Sequence, residues 1–136
     1  MKNVAVEMNK EENSLKLSEV LNFRKTVSSL RGETVSKVVP FTGAITQVSM
    51  HFPAGCNSLV EVRLYSVDLD GETHYIVPSN SEEYIALDDV TQPFNINYIV
   101  TKGSILNVEI LNHDSVNEHT ITTIVVLKAL PFIKTL

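Results

Sequence analysis

The chain has 136 residues, of which 43% are hydrophobic and 20% charged, and its formal net charge is −5. This length and composition predict one domain that builds its own hydrophobic core without disulfide or metal crosslinks. The 11 Lys and Arg residues are scattered, which argues against nucleic acid as a partner because phosphate backbones are bound by basic stripes. The single cysteine, Cys56, excludes an intrachain disulfide.

The hydropathy pattern argues against a secreted or membrane-spanning protein. No segment has the pattern of a signal peptide, since "NVAVEMNKEEN" turns polar before an apolar stretch of useful length can form. No apolar run approaches the ~18 residues of a transmembrane helix. The sequence therefore predicts no membrane partner.

Residues 1–14 read as a flexible N-terminal arm ahead of a single domain, residues 15–136. Inside the arm, "KNVAVEM" alternates apolar and polar residues and could pair as a strand with a neighbouring subunit. The candidate residues for such an oligomer interface are Val4, Val6 and Met8.

The segment "LKLSEVLNFRKTVSSL", residues 15–30, fits two periodicities. Helical spacing selects Leu17, Val20 and Leu21 and then weakens at Arg24. Alternation selects more apolar positions, namely Leu15, Leu17, Leu21, Phe23 and Val27. We therefore prefer a strand for this segment.

From residue 34 onward the apolar residues alternate with polar ones in one short segment after another. The predicted strands are "TVSKVVPF", "AITQVSMHF", "LVEVRLYSV", "THYIVP", "EYIAL", "FNINYIV", "SILNVEILN" and "HTITTIVVLKAL". In "AITQVSMHF" the alternation places Thr46 and Val48 inward and Ile45 outward. Eight or nine strands at ~8–12-residue spacing, separated by Gly, Pro, Asn and Asp, are typical of an antiparallel β-sandwich or barrel.

The segment "LNHDSVNEHTIT", residues 111–122, contains two of the four histidines. His113, Glu118 and His119 are candidate metal ligands, since zinc accepts both imidazole and carboxylate. Their spacing matches no strong metal motif, and the flanking strands favour a connecting loop. Side chains that would cap such a loop are Asn112, Asp114 and Asn117. His119 then begins the last strand on its apolar face, where we expect it to bind a hydrogen-bond partner.

The segment "DLDGE" begins like a calcium-binding loop, with Asp68, Asp70, Gly71 and Glu72. The twelfth position of such a loop would be a glutamate, but here it is Ser79. We therefore interpret the segment as the tip of a β-hairpin.

Two further groups suggest chemistry that the context disfavours. Asp88 and Asp89 are adjacent, and neighbours on an extended chain point to opposite sides, so they are expected to form a loop and not a catalytic pair. Cys56 lies in the turn-like "PAGCNSL" and is expected to be a structural thiol. The sequence predicts no catalytic residue, no enzymatic activity and no cofactor.

Flat aromatic side chains could serve a different function, the binding of sugars. The outward-facing candidates for such a ligand-binding platform are Tyr65, Tyr75 and Tyr84. Asn95 and Asn97 could then bond hydroxyl groups.

Residues 38–130 carry a recurring set of turns and strands. Their segments are "PFTGAITQVSMHFPAGCNSLVEVRLY", "IVPSNSEEYIALDD" and "FNINYIVTKGSILNVEILNHDSVNEHTITTIVVLKAL". This set resembles the small jelly-roll domains of bacteriophage and archaeal-virus virion proteins, and of some carbohydrate-binding modules. The resemblance implies an all-β sandwich of jelly-roll type and a tendency to assemble into trimers or higher rings.

These observations favour a non-enzymatic structural protein that forms a homo-oligomer, plausible as a capsid- or tail-associated virion component. Its expected partners are copies of itself and other virion proteins, and its expected location is the virion or the cytoplasm. The alternative is a carbohydrate- or cell-surface-binding β-sandwich module.

Overall fold

A computed structural model describes residues 18–130. The predicted arm, with Val4, Val6 and Met8, lies outside these residues. The described part contains the strands β1 (Ser18–Val27), β2 (Gly32–Val38), β3 (Gly43–Phe52), β4 (Val60–Val67), β5 (Thr73–Val77), β6 (Val90–Val100), β7 (Ile105–Asn112) and β8 (His119–Ala129). It contains no helix, and so no helix that could span a membrane.

The eight strands form two four-stranded antiparallel sheets. Sheet A has the order β1-β8-β3-β6 and sheet B the order β2-β7-β4-β5. The pairs β1–β8, β2–β7, β3–β6 and β4–β5 are nested, so the chain follows the path of one long hairpin whose tip joins β4 to β5. Rolling this hairpin up adds the pairs β3–β8 and β4–β7. This is a jelly roll, which confirms the predicted fold class.

The core lies between the two sheets and is formed by alternate residues of each strand. Sheet A contributes Phe23 and Ile121, and sheet B contributes Leu64 and Leu106, all at most 1% exposed. Because alternation predicted these inward positions, the burial follows from the period of the strands. The strand preferred for residues 15–30 is confirmed over Ser18–Val27, and the helical interpretation of that part is wrong.

The alternation fails in β3. Its pairing with β8 passes from Ile45–Leu127 to Gln47–Val126, so Thr46 is the extra residue of a β-bulge on the β8 side, whereas on the other side the extra residue lies in β6. A bulge inverts the inward–outward phase on one side of it. Ile45, predicted to face outward, is therefore fully buried, and Thr46, predicted inward, is partly exposed.

Two further predictions are wrong, one about a strand and one about where a strand begins. The segment "EYIAL" is not a strand, because only a single bridge joins Ile85 to Val62. β6 begins at Val90 and not at Phe94. It includes Pro93, which the edge of a sheet tolerates because the missing N–H can face away from the ladder.

Candidate functional site

The loop of residues 113–118 joins β7 to β8, as predicted, and is organised by Asp114. The Asp114 Oδ1 atom accepts the backbone N–H groups of Val116, at 2.9 Å, and Asn117, at 3.1 Å. Its Oδ2 atom accepts a hydrogen bond from His119 Nε2 at 2.8 Å. The His119 bond, followed by the two backbone bonds, lowers the pKa of the Asp114 carboxyl group to about 2.

Asn112 ties this loop to the end of β1. Its side-chain amide donates to the carbonyl oxygens of Val27, at 3.0 Å, Ser28, at 3.3 Å, and Asn117, at 3.0 Å. Its Oδ1 atom accepts the backbone N–H of Asp114 at 2.9 Å. The buried polar residues of this loop are thus bonded to one another and to the backbone, and these bonds hold the loop in place.

The structure does not bring the three candidate metal ligands of this segment together. His119 is buried against Asp114, whereas His113 is exposed and its Nε2 donates to Glu61 Oε1 at 2.8 Å. Glu118 is exposed. The partner expected for His119 is therefore Asp114, and His113 has a different one.

Three ligand-type groups meet instead at the tip of the β4–β5 hairpin. Donor atoms of Asp68, Glu72 and His74 all lie within 4.8 Å of one another. His74 Nε2 is 2.9 Å from Asp68 Oδ2 and 3.8 Å from Glu72 Oε1. The bond from His74, followed by the backbone N–H of Glu72, lowers the pKa of the Asp68 carboxyl group.

Sequence reasoning identified two of these residues and missed the third. "DLDGE" is the predicted hairpin tip, with Gly71 in the left-handed region at φ 87°. His74 is already part of β5, opposite Ser66, and its pattern position suggested only a strand residue. The available signal was the two-residue spacing of Glu72 and His74, which in an extended chain places both side chains on the same side.

A cleft opens beside this cluster, between the edges of the two sheets. It has a volume of about 160 Å³ and is lined from sheet B by Ser66, Asp68 and His74. From the other side it is lined by the end of β6 and the following turn, with Tyr98, Ile99, Val100, Thr101 and Ser104. The Asp68 and His74 side chains thus border a hollow with several hydroxyl groups.

The three tyrosines predicted as a platform lie together on the outer face of sheet B, arranged around Arg63. The guanidinium carbon of Arg63 is 4.3 Å from the ring centre of Tyr84, 4.7 Å from that of Tyr75 and 6.0 Å from that of Tyr65. The rings of Tyr65 and Tyr75 are 5.7 Å apart and tilted by 48°. Cation–π contacts of this kind use the ring faces that a sugar would need.

Arg63 also has polar partners that sequence reasoning missed. Its Nε atom donates to Glu109 Oε1 at 2.7 Å, and its Nη1 donates to the Ser81 carbonyl at 2.9 Å. Burial, together with the Glu109 charge, raises the pKa of Tyr65 and Tyr84. The cluster fastens the loop after β5 onto β4.

Cys56 and Asp88 belong to another structural contact. Cys56 is fully buried, and burial, followed by the charges of Asp88 and Asp114, raises the pKa of its thiol to about 11. Asp88 Oδ1 accepts the backbone N–H groups of Gly55, at 3.0 Å, and Asn57, at 2.8 Å. A buried, protonated thiol is a poor nucleophile.

The four histidines of the chain all lie in the described residues. Besides the pairs with Asp68, Glu61 and Asp114, His51 Nδ1 bonds to Thr91 Oγ1 at 2.7 Å. None of these bonds joins a histidine to a serine or a cysteine. Among these bonds, the one from His51 to Thr91 joins a histidine to a hydroxyl group.

The outer face of sheet A differs from that of sheet B in its charge. The register of the four strands places in adjacent rows the outward residues Val20, Asn22, Arg24 and Thr26 of β1, Thr120, Thr122, Ile124 and Val126 of β8, Gln47, Ser49 and His51 of β3, and Thr91, Pro93 and Asn95 of β6. We call this set the neutral face, because it contains no Asp or Glu; the charged residues that the register places on this side of the sheet are Arg24 and, at the end of β8, Lys128. The outer face of sheet B, in contrast, carries Glu61, Arg63 and Glu109.

Many polar groups of the neutral face bond to one another across strands. Thr26 and Thr120 are joined at 2.7 Å, and Gln47 Nε2 donates to Asn95 Oδ1 at 3.2 Å. Val20 is 62% exposed in the same face. The result is a surface rich in hydroxyl, amide and methyl groups without a carboxylate.

No protein-family model matches the chain, and no curated protein matches its sequence. Solved structures with a similar fold include the mitogen of Yersinia pseudotuberculosis, with 11% identity over 85% of this chain and 90% of that one and a TM-score of 0.47. The SPBc2 prophage-derived protein YomS has 16% identity over 80% and 94% of the two chains and a TM-score of 0.48. A chain of the cyanophage Pam1 capsid has 15% identity over 83% and 82% and a TM-score of 0.44. The neighbours thus include phage and viral capsid structures, and the likeness is one of fold.

Proposed function

We propose that this protein is a non-enzymatic structural protein that assembles with copies of itself through the neutral face of sheet A. The observation that carries the proposal is the absence of carboxylates from this face in a chain with 16 Asp and Glu residues. The face spans all four strands of the sheet.

Electrostatics favour this face over the rest of the surface. Each copy has a net charge of −5, so two copies repel one another at long range. Contact through the neutral face brings no carboxylate of one copy against a carboxylate of the other. Depletion of charged residues is also the compositional mark of the buried centre of protein interfaces.

Desolvation of the neutral face is also inexpensive. A polar group that loses water costs little when it already has a protein partner. The cross-strand bonds Thr26–Thr120, Gln47–Asn95 and His51–Thr91 supply such partners within one copy. Exposed methyl groups of Val20 and the partly exposed Ile124 would supply apolar contact area.

We further propose a virion as the place of assembly, with the predicted arm as a second contact. The resemblance of residues 38–130 to small jelly-roll virion proteins supports the first part. The alternation of Val4, Val6 and Met8 supports strand addition between copies. Capsid, portal or tail genes beside the coding gene would support the virion assignment, and metabolic genes in their place would contradict it.

The assembly proposal is tested with a charge placed at the centre of the neutral face. Ser49 lies between Ile124 and Pro93 in its row, and Ser49→Glu gives every copy a carboxylate at the contact. Light scattering at micromolar concentration should show an oligomer for the parent chain and smaller species for this variant. The matched control is Ser36→Glu on the exposed strand β2 of sheet B, which should leave the oligomer intact.

Two results would overturn the assembly proposal: a parent chain that is monomeric, or an oligomer that Ser49→Glu and Ser36→Glu weaken equally. Circular dichroism checks that both variants keep the β-sandwich. Deleting residues 1–14 tests the arm separately, because an unchanged oligomer would remove the arm from the proposal.

A second candidate function, sugar binding, is favoured by the convergence of Tyr65, Tyr75 and Tyr84 on one face. The three rings are partly exposed, and a sugar would stack on a ring face that Arg63 leaves free. A glycan array should then give hits that Tyr84→Ala abolishes. An array without hits would reject this candidate.

A further inference from the structure

We propose that Asp68, Glu72 and His74 form a binding site for a divalent transition metal of the zinc class. The site lies at the tip of the β4–β5 hairpin and opens onto the cleft between the sheet edges. It is separate from the neutral face and does not depend on the assembly proposed above.

The distances between the donor atoms match those of a small coordination sphere. Zinc is bound by imidazole nitrogen and carboxylate oxygen at about 2.0–2.2 Å, so tetrahedral ligands lie roughly 3.3–3.5 Å from one another. His74 Nε2 is 2.9 Å from Asp68 Oδ2 and 3.8 Å from Glu72 Oε1. These two separations bracket the required value, and all three donor atoms lie within 4.8 Å of one another.

The donor set also selects the kind of ion. One imidazole nitrogen with two carboxylates suits zinc or a similar transition metal, whereas calcium prefers six to eight oxygen ligands. Two carboxylates and a neutral imidazole balance the charge of a divalent cation. The ion would replace the proton that Nε2 of His74 now shares with Asp68.

Asp68 is held in place for this role by the backbone of the turn. Its Oδ1 atom accepts the N–H groups of Asp70 and Glu72, each at 2.9 Å. These bonds fix the carboxylate so that Oδ2 points to His74. Hydrogen bonds that orient a ligand in this way are typical of metal sites.

The surroundings leave space for the rest of the coordination sphere. The neighbouring cleft of about 160 Å³ is lined by Asp68 and His74 themselves and by Ser66, Thr101 and Ser104. It is large enough for a water molecule or a small anion as the fourth ligand. The Glu72 side chain is 73% exposed and can turn towards the ion without breaking a packed contact.

The other histidines of the chain lack this combination. His113 has one carboxylate partner, Glu61, and His51 bonds to Thr91. His119 faces Asp114, and within the described residues no third ligand-type group joins that buried pair. His113 therefore serves as a matched control, since it pairs an exposed histidine with a single carboxylate.

The test is titration of the full chain with Co²⁺, followed by visible absorption, and with Zn²⁺, followed by calorimetry. The parent chain should bind one ion with the absorption bands of a four-coordinate Co²⁺ site. His74→Asn should weaken the binding at least tenfold, whereas His113→Asn should leave it unchanged. Zn²⁺ should also raise the Tm of the parent chain and not that of His74→Asn. A cooperative unfolding transition in both proteins shows that both are folded.

Three outcomes would overturn the proposal. The first is no binding of Co²⁺ or Zn²⁺ by the parent chain at millimolar concentration. The second is equal binding by His74→Asn, which would place the ion elsewhere. The third is Ca²⁺ binding that equals that of Zn²⁺ and persists in His74→Asn, which would indicate a plain acidic cluster.

Discussion

His119 donates a hydrogen bond from Nε2 to Asp114 Oδ2 at 2.8 Å, and this pair is buried where the loop of residues 113–118 enters the last strand. The remaining Asp114 oxygen holds two backbone N–H groups of the same loop. The pair therefore couples the protonation of one carboxyl group to the conformation of the connection between β7 and β8.

The first prediction is a dependence of stability on acid pH that comes from Asp114. Its folded-state pKa of about 2 is below the usual aspartate value of 3.8, so ionisation stabilises the folded state. This stabilisation is complete above the unfolded-state pKa and is lost as pH falls from about 4 to about 2. Urea unfolding at pH 5, 3 and 2 should show a steeper loss for the parent chain than for Asp114→Asn.

Asp114→Asn should also lower stability at neutral pH, because it removes the charged acceptor of three hydrogen bonds. Curves of unfolding free energy against pH that run parallel for the two proteins would show that Asp114 does not titrate with folding.

The second prediction concerns Thr123, which is fully buried between Phe23 and Met50 in sheet A. Within the described residues its hydroxyl oxygen has no hydrogen-bond partner. A buried hydroxyl without a partner costs about 1–3 kcal/mol. Thr123→Val keeps the shape and should raise the free energy of unfolding by about 1 kcal/mol, measured by urea denaturation.

The neighbouring Thr122 provides the control for this substitution. It faces outward between Arg24 and His51, so Thr122→Val should change stability by less than about 0.5 kcal/mol. A loss of stability in Thr123→Val would show that the hydroxyl group has a partner.

The third prediction concerns Gly43, at the start of β3. A Cβ atom there would collide with the backbone carbonyl of Lys128 on β8, which cannot move without breaking the sheet. Gly43→Ala should therefore destabilise the protein by roughly 2–3 kcal/mol, the cost of overpacking a rigid site. Thermal unfolding measures the effect.

Gly32 is the matched control for Gly43, because it also begins a strand. There the nearest atom to a new Cβ is the flexible end of the Leu111 side chain, at 2.8 Å. Gly32→Ala should cost much less than Gly43→Ala. Equal costs would mean that β3 can shift relative to β8.

The sequence predicted most strands and the core because antiparallel sheets with one solvated face impose a period of two. Leu21, Phe23 and Val27 show this, since alternation alone separated a strand from a helix and the three are buried. The bulge at Thr46 was not predictable in this way, because one inserted residue changes the phase without changing the composition. "EYIAL" alternates too, but a strand requires a partner ladder, and this segment pairs with β4 only through the single bridge between Ile85 and Val62.

The candidate sites were predictable only where their residues are close in sequence. The roles of Asn112 and Asp114 as loop caps follow from local side chain–backbone bonds, and the structure contains those bonds. Arg63 and Glu109 are on different strands, so their contact with the tyrosines depends on sheet register. His74 approaches Asp68 only when the hairpin closes.

The nested pairing of the strands also restricts when the domain can fold during synthesis. β8 lies between β1 and β3 in sheet A and is the last of the described strands to leave the ribosome. Until residues 119–129 are available, β1 lacks its only partner among the described strands, and one edge of β3 remains unpaired. Native sheet A must therefore form after translation of β8, and chains stalled before that point would expose strand edges to chaperones or to aggregation.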